Sequence, residues 1–250
     1  MSPSDAPALT EDTLMGGRVK LRQPKDGFRA AIDPVLLAAS VPATLRDSVL
    51  EIGTGSGAAA LCLARRVKGV RITGLELQRD LVRLAGENAA LNGLEAEVAI
   101  VFGDLLHPPP RLAPSGFDHV MANPPYLEAG TATLPEDAPR RTAVGEGAAD
   151  LKAWVRFALA MVRPKGTITF IHRADRIDGL LTELHGKAGE IVVFPLWPGI
   201  GKPAKRVLVR ARRDIATPTR LAPGLILHAA DGKYTAEAEA VLRDGWGLVL

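Results

Sequence analysis

Cysteine is almost absent: Cys62 is the only one in 250 residues. A disulfide framework and a thiolate-held metal cluster are therefore excluded within one chain. Aromatic residues are also scarce, at 4 % of a chain that is 47 % hydrophobic. Val, Leu, Ile and Ala must then fill the core, which suits strands buried on both faces under Ala-rich helices. No apolar run reaches membrane-spanning length, and the first residues carry no charged-then-apolar leader pattern. The expected setting is cytoplasmic, with no membrane. Neither sign of charge dominates; the formal net charge is +3, a value that says little about nucleic acid by itself. No internal repeat is visible. The length suits one large domain with modest additions.

What is present is an alternating pattern. Val49–Ile52, Arg71–Leu75, Glu97–Phe102, Phe117–Ala122 and Thr167–His172 read as strands. Ala58–Val67, Arg79–Leu91, Leu151–Val162 and Arg176–Lys187 read as helices. Ile191–Pro195 and Arg206–Ala211 read as a closing antiparallel pair. The pattern predicts an α/β fold, Rossmann-like and doubly wound, with a mostly parallel seven-stranded sheet and one antiparallel strand near the C-terminus. Residues 1–40 are expected to form an N-terminal arm. In it, 1–14 are polar and mobile, Gly16–Arg29 make a short hairpin, and Pro34–Ser40 a helix with Asp33 as its N-cap. Residues 41–215 are then the main domain and 216–250 an extension packed on it. Leu127–Ala149, with Pro and Gly and no periodicity, reads as a long functional loop.

Four strand ends carry the chemistry. Glu51-Ile-Gly-Thr-Gly-Ser-Gly57 joins the first of these strands to its helix. Gly53 and Gly55 permit a tight turn and close approach of a ligand, and Gly57 close packing of the helix on the strand. Glu76 ends the second strand, where a carboxylate accepts hydrogen bonds from ribose hydroxyls. Loop and acid together point to a cofactor containing adenosine, either NAD or S-adenosylmethionine; a purely structural turn is the bland alternative. Two features favour S-adenosylmethionine. Glu51 is a poor neighbour for pyrophosphate but a good one for a methionine ammonium group. Asp104, after the third strand, is placed to accept from an adenine amino group, or to cap its own turn. After the fourth strand come Asn123, Pro124, Pro125 and Tyr126. An amide acceptor, a carbonyl without a competing N–H and a stacking ring make a pocket for a flat amino group. In an open α/β sheet these four loops face one crevice.

The glycine loop, the acids after strands two and three and Asn-Pro-Pro-Tyr resemble class I S-adenosylmethionine-dependent amino methyltransferases. Gln23-Pro-Lys-Asp-Gly-Phe-Arg29, Ile32-Asp-Pro-Val-Leu-Leu37, Ile171-His-Arg-Ala-Asp175 and Pro203-Ala-Lys-Arg-Val-Leu-Val209 are similar to segments of the bacterial tRNA(Val) adenine-N6-methyltransferase family. The resemblance spans roughly 16–213. It implies an enzyme that methylates N6 of the adenosine beside the tRNA anticodon. It also implies that Asn123, Pro124, Pro125 and Tyr126 are catalytic. Phe28, Arg29, Glu51, Gly53, Thr54, Gly55, Gly57, Glu76, Leu77, Asp104, Leu105 and Asn123 would touch the cofactor. Asp33 would steady the segment of Phe28 and Arg29, although Arg29 and Asp33 also read as a local ion pair. No metal is needed. His172, ending a strand, reads as a structural hydrogen-bonder.

An adenine amino lone pair is delocalised and weakly nucleophilic. Asn123 and the Pro124 carbonyl would accept its two N–H bonds and aim the lone pair at a sulfonium methyl, while Tyr126 stacks on the base. The basic stretches Arg18–Lys25, Arg140-Arg141 and Lys202–Arg213 would hold RNA phosphates, against the alternative of solvated surface charge. Rival readings are a ribosomal RNA target, a protein glutamine, an NAD-dependent oxidoreductase and a non-catalytic RNA-binding module. A glutamine methyltransferase of this type would carry an added N-terminal helical domain, for which the chain has no room before Gly53. An oxidoreductase leaves Asn123–Tyr126 without a role. The sequence assigns no role to Leu225–Leu250.

Overall fold

The computed structural model describes residues 8–26, 29–125 and 149–250. In chain order the strands are β1 (Leu9–Leu14), β2 (Val19–Pro24), β3 (Ser48–Ile52), β4 (Arg71–Glu76), β5 (Val98–Phe102), β6 (Phe117–Ala122), β7 (Val162–Arg173), β8 (Ala188–Gly199), β9 (Arg206–Arg213), β10 (Arg220–Leu221) and β11 (Leu225–His228). The α-helices are α1 (Asp33–Ser40), α2 (Ala58–Arg66), α3 (Arg79–Leu91), α4 (Leu151–Met161), α5 (Ile177–Leu184) and α6 (Ala236–Leu242).

One sheet runs β10-β8-β9-β7-β6-β3-β4-β5, with β11 also paired to β8. From β3 the chain steps outward through β4 and β5, then returns to β6 and β7 on the other side. That reversal, between β3 and β6, opens the crevice at the strands' carboxyl ends. All pairs among β3 to β7 are parallel; β9 lies antiparallel between β7 and β8. The strands read as buried runs because both faces are covered. Val49 packs into the layer of α1 and α2, whereas Leu50 and Ile52 pack into that of α4 and α5. Fully burying each such side chain contributes ~1.5–3 kcal/mol. The helix α2 is almost all Ala, Leu and Cys along its buried length, so it can lie close to its neighbours.

The predicted seven strands are all present, and the extension adds two more. Strands β10 and β11 line up end to end on the outer edge of β8. They pair backbone groups that an edge strand would leave open.

Two expectations for the arm are corrected. Leu9–Leu14, within the stretch expected to be mobile, is a strand: it pairs antiparallel with β2 through Leu9↔Pro24 to Leu14↔Val19. The hairpin is thus earlier and longer than Gly16–Arg29 implied. Its strand β1 is polar and half-exposed, and pairing rather than burial holds it. Asp33 does not cap α1; Ile32 holds that position without a side-chain bond. The Asp33 carboxylate instead accepts from Nε of Arg206 at 2.9 Å.

The outer edge of β2 is closed by side chains. Asn92 accepts from Lys20 N and donates to Lys20 O, at 2.9 and 2.7 Å. Asn88, one helical turn earlier, does the same with Arg22 N and O, both at 2.8 Å. An amide on α3 and another at its C-cap therefore serve as a neighbouring strand would.

Candidate active site

The loop after β3 is built around its glycines. Gly53, Gly55 and Gly57 have φ of +67°, +56° and +88°, in the left-handed region where other residues are strained. Gly53 N and Thr54 N both donate to Leu75 O, at 2.8 and 3.0 Å, pinning the turn to the end of β4. Gly53 differs from expectation. A Cβ there would lie 2.6 Å from Cη2 of Trp154 on α4, so its missing side chain admits protein rather than ligand. Gly57 packs against Ala85 of α3, 3.4 Å from a Cβ built there; the close contact is between helices, not helix and strand. Around Gly55, by contrast, nothing lies within 4 Å of a built Cβ. That is where a ligand can approach the backbone. Thr54 is buried and seats over Gly74 of β4, whose Cβ would come within 2.8 Å of it.

Glu51 is 4 % exposed. Its Oε2 accepts from Thr54 Oγ1 at 2.6 Å and Ala60 N at 3.0 Å. Among the described residues, both of these hydrogen bonds fall on Oε2 and none on Oε1. Burial pushes the Glu51 carboxyl up to about 8, against the opposing pull of those two donors; Glu76 nearby raises it further. Burial thus keeps the Glu51 carboxyl largely protonated at neutral pH, and a cation placed beside it would favour the carboxylate. Glu76 bridges two loops: Oε2 accepts from Gly55 N and Oε1 from Gln78 N, each at 2.8 Å. The acid expected to meet a ribose also holds the open glycine in place.

Beyond β5, Asp104 accepts from Leu106 N at 2.9 Å and faces His107 Nδ1 at 3.4 Å, so it caps its own turn. Leu105 is half-buried and Leu77 exposed. The Arg79 guanidinium stacks 4.0 Å from the Phe102 ring centroid, a cation–π contact at the same edge. After β6, Asn123 is half-buried, Pro124 buried and Pro125 half-buried. Tyr126, Phe28, Arg140, Arg141 and nearly all of Leu127–Ala149 lie outside the described residues.

Arg29 is held by the hairpin. It donates to Asp12 Oδ2 at 2.7 Å, Thr10 Oγ1 at 2.8 Å and Pro24 O at 3.2 Å. It does not pair with Asp33, as the local reading allowed. His172 is buried, accepts from Arg173 N at 2.8 Å, and is pushed to lower pKa by that burial. This fits a structural role.

Lys202–Arg213 is not one patch. β9 carries its arginines across the sheet, ~25 Å from end to end. Arg206 begins at the crevice edge, opposite Arg173. Arg212 and Arg213 end at the far edge, where Arg212 meets Glu190 and Lys165 O, and Arg213 meets Ser115 Oγ and Val162 O. Arg210 holds the Leu250 carbonyl. These side chains serve the fold; Lys202 and Lys205 remain exposed at the crevice edge. In the first basic stretch, Arg18 bonds Asp244 O and Arg22 pairs Glu11.

Sequence reading missed Asn88, which is fully buried. Besides Arg22 it reaches Ser56 O in the glycine loop at 2.9 Å. A single amide therefore ties the hairpin to that loop. An Asn pair at i,i+4 spanning the last turn and C-cap of an otherwise amphipathic helix was the available signal.

A profile of the family described as N-6 DNA methylase matches residues 34–191, from α1 into β8. The chain belongs to the N-6 DNA methylase family. Among relatives of this family member, the tRNA1(Val) (adenine(37)-N6)-methyltransferase of Aeromonas hydrophila is 29 % identical over 215 residues, 83 % of this chain and 86 % of the relative. The protein of the same name from Porphyromonas gingivalis is 27 % identical over 243 residues, 92 % of each chain. A release factor glutamine methyltransferase of Chlorobaculum tepidum is 36 % identical over 107 residues, but spans 42 % of this chain and 36 % of its own. In fold, the methylase resembles a predicted O-methyltransferase from Agrobacterium tumefaciens, with TM-score 0.73 at 21 % identity over 87 % of this chain and 98 % of the other. Among the described residues, no helix is long and apolar enough to cross a membrane, and no cluster of His, Cys, Asp or Glu is arranged to hold a metal.

Proposed function

We propose that the protein methylates N6 of an adenosine in tRNA, the anticodon-loop adenosine of tRNA(Val), using S-adenosylmethionine. One observation carries the reading. Glu51, the open Gly55 and Glu76 stand on the same sheet edge as Asn123-Pro124-Pro125, and relatives named for this reaction match over most of the chain.

The chain's residues suit the cofactor. Gly55 opens its backbone to space a ligand can occupy, Glu76 bonds its N–H, and Glu51 offers a buried acceptor for an ammonium group. When bound, S-adenosylmethionine supplies an electrophilic methyl group. The protein's part is to orient and polarise the amine. Asn123 Oδ1 and Pro124 O accept the two amino N–H bonds, shifting electron density to nitrogen and directing its lone pair. Tyr126 gives the base a stacking surface. Withdrawing a base from its stack costs a few kcal/mol in a duplex and less in a loop, which favours a loop adenosine.

Incubating purified protein with tRNA and methyl-labelled cofactor, followed by nucleoside mass spectrometry, is expected to yield N6-methyladenosine. Label in protein glutamine instead would favour the reading suggested by the Chlorobaculum tepidum relative. No label in any RNA rejects the proposal.

Cofactor affinity should also depend on pH. Glu51 binds an ammonium only as the carboxylate, so below its pKa of about 8 affinity rises ~10-fold per pH unit. Above pH ~8 the ligand's own α-amino group begins to lose its charge. Titration calorimetry from pH 6 to 9 is expected to show a maximum near 8, and Glu51→Gln should erase the acid limb. A flat profile between pH 6 and 7.5 removes Glu51 from this role.

A further inference from the structure

We propose that the C-terminal extension forms a second nucleotide-docking subsite for the RNA substrate, centred on His228, Tyr234 and Lys202. The inference rests on the RNA-methylating reading above and gives the extension a role in it.

The extension reaches the crevice edge through β11. His228 lies in register with Gly199 at the end of β8, and its Nδ1 sits 3.0 Å from Pro198 O. The chain then turns back at once. Ala229 N donates to Lys233 O at 2.8 Å, and Tyr234 stacks on His228 with centroids 4.7 Å apart and planes 26° apart. Both residues are partly exposed, and Tyr234 also packs against the core. The Lys202 side chain lies near the His228 backbone, its Cδ 3.6 Å from a Cβ built on Gly199 and the His228 carbonyl 3.5 Å from the same point. Lys233, on the turn, has a side chain 84 % exposed and only a 3.8 Å contact to Asp231. Among the described residues neither Lys202 nor Lys205 forms an ion pair.

A stacked pair with two exposed lysines, Lys202 and Lys233, close to it meets the two needs of unpaired RNA: a flat surface for a base and cations for its phosphates. Packing of Tyr234 against the core fixes one side of the pair but does not account for the lysines near the turn. The subsite is separate from the methyl-transfer pocket. From β6 to β11 the rim crosses β7, β9 and β8, four spacings of ~4.8 Å, or ~19 Å. A nucleotide there belongs to the flank of the target, not the target itself. The arginines at the other end of β9 face away from this rim, so the basic run divides into an RNA part and a structural part.

Four variants test this: Lys202→Glu with Lys233→Glu, Tyr234→Leu, Tyr234→Phe, and Lys68→Glu as a single charge reversal on the turn between α2 and β4, at the opposite edge. tRNA affinity is measured across a salt series, with S-adenosylmethionine affinity measured on the same preparations. The double lysine variant should lose about tenfold in tRNA affinity and flatten the salt dependence by ~2 released counterions. Tyr234→Leu should weaken tRNA about tenfold and Tyr234→Phe should restore it, with cofactor affinity unmoved. Lys68→Glu should change neither. Wild-type tRNA methylation combined with unchanged affinity in the lysine and tyrosine variants overturns the subsite alone. Equal loss in Lys68→Glu reduces it to long-range charge and also overturns it. Absence of RNA methylation by the wild type is the separate failure of the underlying reading.

Discussion

Asn123→Ala is expected to lower the methyl-transfer rate by at least ~10³-fold while S-adenosylmethionine binds within about twofold of wild type. The side chain follows β6, next to Pro124, whereas the groups suited to the cofactor follow β3 and β4. On the proposed mechanism, removing the amide takes away one of two acceptors for the amino group. That group then loses both its orientation and the polarisation that makes nitrogen nucleophilic. Neither loss touches the glycine loop, Glu51 or Glu76. Single-turnover rates with labelled cofactor, together with calorimetric binding, separate the two effects. If cofactor affinity falls as far as the rate, Asn123 is part of the cofactor site and the division of roles is wrong.

Gly53→Ala is expected to destabilise the fold by ~2–5 kcal/mol, whereas Gly55→Ala should do so by only ~1–2 kcal/mol. Both positions have positive φ, and a Cβ in that region costs ~1–2 kcal/mol. Only at Gly53 does the new methyl group meet a side chain, the Trp154 ring at 2.6 Å, and overpacking adds ~1–3 kcal/mol. Cofactor binding should show the reverse order. The methyl group at Gly55 projects into open space and should obstruct the ligand. Urea unfolding and calorimetry on both variants give the comparison. Equal destabilisation by the two substitutions would mean that Trp154 does not constrain the loop.

The crevice was legible because its residues are local signals. Glycines between a strand and a helix, an acid at a strand end and Asn-Pro-Pro-Tyr each announce themselves within a few residues. Their joint placement follows from the parallel topology. What escaped the sequence depends on distant partners. Asp33 looks like a helix cap until Arg206, 173 positions away, is brought beside it. Leu9–Leu14 alternates too weakly to announce a strand; its partner β2 makes it one. The purpose of Gly53 requires knowing where Trp154 falls, a hundred residues later. The run from Lys202 to Arg213 looks continuous in sequence because a strand keeps its residues adjacent in number while carrying them across the sheet.

Asn88 gives the hairpin and the glycine loop a common hinge pin. Its amide makes three hydrogen bonds, two to Arg22 and one to Ser56, and its fully buried position leaves water no access to replace them. Any slip of the arm along α3 must therefore break contacts that also set the loop, so the two segments are geared to move together.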